Sequence, residues 1–125
     1  MKKRTALAIL WLLLILVATL TPGDRLPSTP KIIGFDKLVH FSLFAILAFL
    51  WCRVAIGKGF KKLNIKKIIT NYLVFCFLFA ILVEYLQRHI PGRSFDYADM
   101  TANIIGIAIG TISFIILHRK RSNLV

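Results

Sequence analysis

Residues 84–110 read EYLQRHIPGRSFDYADMTANIIGIAIG, and this stretch decides the fold. After the Pro91-Gly92 turn, polar and glycine residues recur at gaps of three and four, so they share one face of a helix. They are Asp96, Asp99, Asn103, Gly106 and Gly110. The surrounding sequence is apolar, which predicts a buried polar site rather than a solvated surface.

The composition is typical of a membrane protein. Hydrophobic residues make up 58% of the 125 residues and the mean hydropathy is +0.75, whereas soluble domains contain roughly 45–50% apolar residues. Four apolar stretches, each of about 16–19 residues, approach the roughly 17–25 residues that cross a bilayer. These stretches lie at 5–20, 38–56, 68–85 and 100–117. Backbone groups find no water in lipid, so each stretch is expected to be helical.

We therefore predict an all-α, integral membrane four-helix bundle. The chain forms a single membrane domain over residues 1–125, with helices at about 5–21, 37–56, 68–88 and 98–118. The first stretch has an alternative interpretation as a secretory signal peptide, because Lys2-Lys3-Arg4 precedes an apolar run. The run is long and leads into Pro22 without a clear cleavage site, which favours a retained helix.

The charge distribution predicts an orientation in the membrane. Seventeen Lys and Arg residues against five Asp and Glu residues give a net charge of +12. Residues 2–4, 53–67 and 119–121 carry twelve bases and no acid, while the opposite side carries five bases and all five acids. Cytoplasmic loops are rich in Lys and Arg, so both termini are expected in the cytoplasm and the polar site at the outer leaflet. Such a distribution argues against a nucleic-acid partner.

The basic loop at residues 57–67 has two interpretations. Contact with anionic lipid would contribute about 1 kcal/mol per well-placed base. A role in setting topology already accounts for the charges, and we favour it.

The second predicted helix carries polar residues at its outer end. Asp36, His40 and Phe44 are spaced by four residues and so share a face. Asp36 has an alternative role as the N-cap of this helix, and a lone histidine on an apolar face is usually a packing residue.

Polar residues also end the third predicted helix. Glu84 lies four residues before Arg88, so an ion pair along the helix is an alternative to any role in a site. Gln87 lies on the same side as Glu84 and would serve equally as a hydrogen-bonding spacer between helices. Arg93 follows in the connecting turn, where a guanidinium group suits a phosphate or a carboxylate.

The fourth helix begins with two acids. Asp96 is placed to cap the helix, with Asp99 at the N3 position. Asn103 lies about 10 Å from Asp96 along the helix axis. An amide without a hydrogen-bond partner would be costly at that depth, so Asn103 is expected to face another helix. Gly106 and Gly110 are expected to let a neighbouring helix approach closely.

These positions form one candidate outer-leaflet site. The candidate catalytic residues are His40, Glu84, Asp96 and Asp99. The candidate ligand-binding residues are Asp36, Gln87, Arg88, Arg93 and Asn103. An imidazole with several carboxylates is also a donor set for a divalent metal, although this cofactor is not favoured, and no nucleophile lies in a recognisable motif.

The motifs together resemble the VanZ-like family, whose namesake is the teicoplanin-resistance protein. The resemblance covers nearly the whole chain and rests on five motifs. They are Asp36-Lys37-x-x-His40-Phe41-x-x-Phe44, Glu84-x-x-Gln87, Pro91-Gly92-Arg93, Asp96-x-x-Asp99 and Asn103-x-x-Gly106-x-x-x-Gly110. It implies a multi-pass protein of the bacterial cytoplasmic membrane that is connected with resistance to glycopeptide antibiotics, without a settled biochemical activity.

Three functions are compatible with these residues. The first is a cell-envelope protein that lowers susceptibility to glycopeptide and lipoglycopeptide antibiotics by acting on a lipid or a lipid-linked wall precursor. Its partners would be membrane lipids, such a precursor or the antibiotic itself. The second is a membrane-embedded enzyme that uses acid/base or metal chemistry on an unknown substrate. The third is a non-catalytic protein in which the polar residues only hold the helices together.

Overall fold

The computed structural model describes residues 2–22, 34–56, 66 and 73–123. These residues form four helices and no strand, which confirms the predicted all-helical architecture. The helices are α1 (Lys2–Leu20), α2 (Phe35–Ile56), α3 (Val74–Gln87) and α4 (Tyr97–Asn123). The basic loop at 57–67 lies outside the described residues apart from Lys66, and so does the predicted start of the third helix at 68–72.

The chain is a membrane protein with three candidate spans. Helices α1, α2 and α4 are each long and apolar enough to cross a bilayer, while α3 is apolar but has 14 residues. Large apolar side chains cover their outer faces: Leu10 is 63% exposed and Val17 68% exposed. An apolar surface of this kind suits lipid.

Helix α2 starts two residues earlier than the sequence predicts. Gly34 has a φ of +81°, and its carbonyl oxygen accepts a 3.0 Å hydrogen bond from the Leu38 N–H. The helix therefore begins at Phe35, and Asp36 lies inside the first turn. The interpretation of Asp36 as the N-cap is wrong, although an acid in the first turn still complements the helix dipole.

The predicted cap of helix α4 is confirmed, and the helix runs from Tyr97 to Asn123, five residues beyond its predicted end. The Asp96 carboxylate accepts a 2.8 Å hydrogen bond from the Ala98 N–H, and the Asp96 carbonyl accepts one of 3.1 Å from the Met100 N–H. Asp96 is thus the N-cap, and Asp99 occupies the N3 position.

Helices α2 and α4 pack closely through glycine. A Cβ atom added to Gly110 would lie 2.9 Å from Cα of Ala45, and one added to Gly106 would lie 3.1 Å from the Ala45 nitrogen. Only glycine permits this separation. Beside this contact, Phe44, Leu47 and Val83 are fully buried, and the ring centroids of Phe44 and Phe79 are 5.9 Å apart.

Helix α1 runs antiparallel to α2. The Trp11 indole N–H donates a 2.9 Å hydrogen bond to the Leu43 carbonyl, and Arg4 Nη1 donates one of 3.4 Å to the Arg53 carbonyl. The bundle therefore has two distinct ends. We call the end where α2 and α4 begin the polar end, and the end where α1 begins and α2 and α4 finish the basic end.

Candidate functional site

Four polar side chains from three helices meet inside the bundle near its polar end. His40 comes from α2, Glu84 from α3, and Asp99 and Asn103 from α4. Their exposed fractions are 6%, 0%, 9% and 0%, respectively. We call these four residues the polar cluster.

The four side chains contact one another directly. His40 Nδ1 lies 3.0 Å from Asn103 Oδ1 and 3.4 Å from Glu84 Oε1. Asn103 Nδ2 donates a 3.4 Å hydrogen bond to Glu84 Oε1, and His40 Nε2 lies 3.7 Å from Asp99 Oδ2. An amide oxygen only accepts hydrogen bonds, so the short contact with Asn103 requires a proton on His40 Nδ1. The imidazole is thereby oriented between two carboxyl groups, with Nδ1 towards Asn103 and Glu84 and Nε2 towards Asp99.

Lys37 connects the polar cluster to the end of the helices. Its Nζ lies 2.7 Å from Asp36, 3.0 Å from Asp96 and 3.1 Å from Asp99. The hydrogen bond from Lys37, together with that from the Ala98 N–H, holds the pKa of Asp96 below its usual value. Polar contacts thus run inward from Lys37 through Asp99 and His40 to Glu84.

Sequence reasoning did not name Lys37 as a site residue, although it counted Lys37 among the bases and quoted it in the Asp36-Lys37-x-x-His40 motif. Its position within one turn of His40, on the side that holds every acid, was the available signal. Asp36, by contrast, is exposed and lies outside the polar cluster, where it contacts Lys37.

Glu84 faces the polar cluster rather than Arg88. Arg88 is exposed, and no ion pair joins it to Glu84 in the part of the chain that the structure describes. The alternative of an ion pair along α3 is therefore wrong. Oxygen Oε2 of Glu84 is buried and has no hydrogen-bond partner among the described residues.

Gln87 and Arg93 contact helix α1. Gln87 Nε2 donates a 2.9 Å hydrogen bond to the Thr19 carbonyl. Arg93 donates from Nε to the Thr21 carbonyl at 3.2 Å and from Nη2 to the Ala18 carbonyl at 2.9 Å. The last carbonyls of a helix have no partners within it, so these two side chains satisfy the end of α1. Together they hold α1 against α3 and the turn that follows it.

Three residues of the polar cluster form a donor set that suits a divalent cation. His40, Glu84 and Asp99 each offer one ligand atom, and these atoms lie within 4.8 Å of one another. The unpartnered Glu84 Oε2 fits a ligand role. The ammonium group of Lys37, 3.1 Å from Asp99, opposes it because it competes with a cation for the same carboxylate.

A bundle of apolar helices that encloses ionisable side chains defines the class: an integral membrane protein with a polar site. The family model described as VanZ/LLP1 matches residues 5–118, and the chain belongs to this family, as its motifs predict.

A similar sequence occurs in a fungus. An uncharacterised protein of Schizosaccharomyces pombe is 28% identical to the chain over 120 residues, which are 95% of this chain and 68% of that relative. No solved structure matches the chain.

Proposed function

We propose that this VanZ/LLP1 chain is a multi-pass protein of the bacterial cytoplasmic membrane, with both termini in the cytoplasm and the polar end at the outer leaflet. In this proposal residues 1–125 form one membrane domain, and the polar cluster acts on the head group of an envelope lipid or lipid-linked wall precursor. The result is lower susceptibility to glycopeptide and lipoglycopeptide antibiotics such as teicoplanin. The excess of Lys and Arg at the basic end supports the orientation.

One observation carries this proposal: the continuous line of polar contacts from Lys37 to Glu84. The Lys37 side chain is 35% exposed, so a ligand reaches it from the end of the helices. A phosphate group that binds Lys37 displaces a carboxylate partner and alters the contacts of Asp99 with His40. Buried ionisable groups are costly in a membrane, which favours a function over packing alone.

Antibiotic susceptibility tests this proposal. Wild-type protein, Asp99→Asn and Lys37→Gln are expressed in a glycopeptide-sensitive bacterium at equal membrane levels. We expect wild type to raise the inhibitory concentration of teicoplanin and both variants to lose the effect. Thr101→Ala is the matched control, since Thr101 is exposed on α4 and its hydroxyl contacts only its own helix. Full protection by both cluster variants would refute the proposal.

The unpartnered oxygen of Glu84 favours a second candidate, a membrane-embedded enzyme. A free carboxylate oxygen beside an imidazole is suited to acid/base work or to holding a metal ion. An assay for turnover distinguishes this enzyme from the first candidate. Purified protein is incubated with labelled lipid-linked precursors, with and without divalent metals. Turnover that His40→Gln abolishes would establish catalysis, while no turnover across several substrates would argue against it.

Direct packing of the four side chains supports a third candidate, in which the polar cluster only locks the helices. Under this function Asp99→Asn lowers stability, and activity falls in proportion to the folded protein. Measuring the folded fraction beside the antibiotic assay separates it from the first candidate.

A further inference from the structure

The bundle contains a cavity at its basic end, far from the polar cluster. It has a volume of about 390 Å³ and lies between α1, α2 and α4. Arg53, which lines the cavity, is thirteen positions after His40 on α2, or about 20 Å along the axis at 1.5 Å per residue. Any ligand of this cavity is therefore separate from the proposed site at the polar end.

Three arginines line the cavity, one from each helix: Arg4, Arg53 and Arg121. Arg4 reaches across to the end of α2, where it donates to the Arg53 carbonyl. His118 of α4 also lines the space. This convergence brings several basic side chains around one opening.

The acids of the chain are elsewhere. All four acids that the structure describes lie at the polar end: Asp36, Glu84, Asp96 and Asp99. The fifth, Asp24, follows the end of α1 in sequence. The described carboxylates therefore lie at the opposite end of the bundle from this cavity, and an anion that enters it meets basic side chains.

The remaining walls of the cavity are apolar. The rings of Phe49 and Phe114 meet edge to face with centroids 5.6 Å apart, and Phe114 stacks on His118 at 5.7 Å. Leu117, which also lines the cavity, is 55% exposed on the outer face of α4. A charged rim thus continues into a surface suited to a hydrocarbon chain.

We propose that this cavity binds the phosphate group of an anionic phospholipid, with an acyl chain lying along Phe114 and Leu117. Guanidinium groups pair well with phosphate oxygens, and basic pockets between membrane helices commonly bind anionic head groups. The apolar wall selects a lipid rather than free phosphate. The proposal goes beyond the function proposed for the polar end and does not depend on it.

Native mass spectrometry of the purified full-length chain in detergent tests the proposal. Phosphatidylglycerol and phosphatidylcholine with identical acyl chains are titrated separately. We expect wild-type protein to retain one phosphatidylglycerol in preference to phosphatidylcholine. Arg53→Gln and Arg121→Gln should each weaken phosphatidylglycerol binding about fivefold, because one base near a lipid surface contributes roughly that factor.

Matched variants distinguish lipid binding in the cavity from a general effect of positive charge. Arg119→Gln removes the same charge from an exposed position that does not line the cavity, and it should bind as wild type does. Arg53→Lys keeps the charge and should retain most of the binding, with circular dichroism confirming that each variant is folded. Equal loss in Arg119→Gln, or equal binding of both lipids, would overturn the proposal. Displacement of the lipid by millimolar inorganic phosphate would overturn the assignment to a lipid.

Discussion

His40 Nδ1 of α2 lies 3.0 Å from Asn103 Oδ1 of α4, and both residues are buried. The amide group of Asn103 also donates to Glu84 of α3 at 3.4 Å. One asparagine therefore joins three helices and fixes the direction in which the imidazole presents its second nitrogen. Asp99, one turn earlier on α4, lies beside that nitrogen.

Asn103→Leu should destabilise the bundle by about 1–3 kcal/mol, because it leaves buried groups on His40 and Glu84 without their partner. Thermal unfolding in detergent, followed by circular dichroism, measures the change. Thr101→Ala is the control, since it removes an exposed hydroxyl from the same helix, and it should stay within about 0.5 kcal/mol of wild type. Equal stability of Asn103→Leu and wild type would show that the amide contributes no net stability.

Gly110→Ala should also destabilise the protein, by about 1–3 kcal/mol, because the new methyl group overlaps the backbone of Ala45. Helix propensity alone predicts the opposite sign, a gain of about 1 kcal/mol. The same unfolding experiment gives the answer. Ala108→Val adds methyl groups at an exposed position of α4 and should have little effect. A stabilised Gly110→Ala would mean that α2 and α4 are not in close contact.

The stripe of residues on α4 shows how far the sequence determines the site. Gaps of three and four placed Asp99, Asn103 and Gly106 on one face, and helical geometry makes such a prediction reliable. Each of the three residues does face α2 or α3. The partner of each residue was harder to predict, because contacts between helices depend on rotation and axial register that no local pattern encodes.

Lys37 illustrates what the local pattern could not supply. It lies three residues before His40 and seven before Phe44, on the face that those residues share, but this spacing does not identify its partners on another helix. Packing of α2 against α4 brings its ammonium group to Asp96 and Asp99. Similarly, the carbonyl partners of Arg93 lie more than 70 residues away in the chain, at Ala18 and Thr21. Neither set of contacts follows from a recognisable spacing of residues in the sequence.

Arg93→Gln should loosen the end of α1, because it removes two hydrogen bonds to the Ala18 and Thr21 carbonyls. Hydrogen–deuterium exchange measured by mass spectrometry should show faster exchange in peptides covering residues 16–22. Arg88→Gln removes the same charge from an exposed position nearby and should exchange as wild type does. Unchanged exchange in Arg93→Gln would show that Gln87 alone holds this end of the helix.

Asp96 should make stability depend on acid pH. The hydrogen bond from Lys37 lowers the pKa of Asp96 below the usual value of 3.8 in the folded protein. Its contribution to stability is therefore complete above pH 3.8, and it is lost as the pH falls through the lower, folded-state pKa. The midpoint of thermal unfolding should fall more between pH 5 and pH 2 for wild type than for Asp96→Asn. Ser94→Ala changes an exposed residue in the same segment, and its unfolding midpoint should depend on pH as that of wild type does. Parallel curves for wild type and Asp96→Asn would contradict this assignment.

The substitution Glu84→Gln tests whether the polar cluster has a function or only locks the helices together. The substitution keeps the shape of the side chain and the oxygen that contacts Asn103 and His40, while it replaces the unpartnered Oε2 with an amide group. The substitution also removes a buried ionisable group. We therefore expect a free energy of unfolding that is at most about 1 kcal/mol below that of wild type. Protection against teicoplanin should nevertheless be lost, because the carboxylate is the group that the proposed chemistry uses. Loss of protection with intact stability is the signature of a functional residue. If Glu84→Gln instead protects cells as well as wild type at the same membrane level, the Glu84 carboxylate has no part in the function.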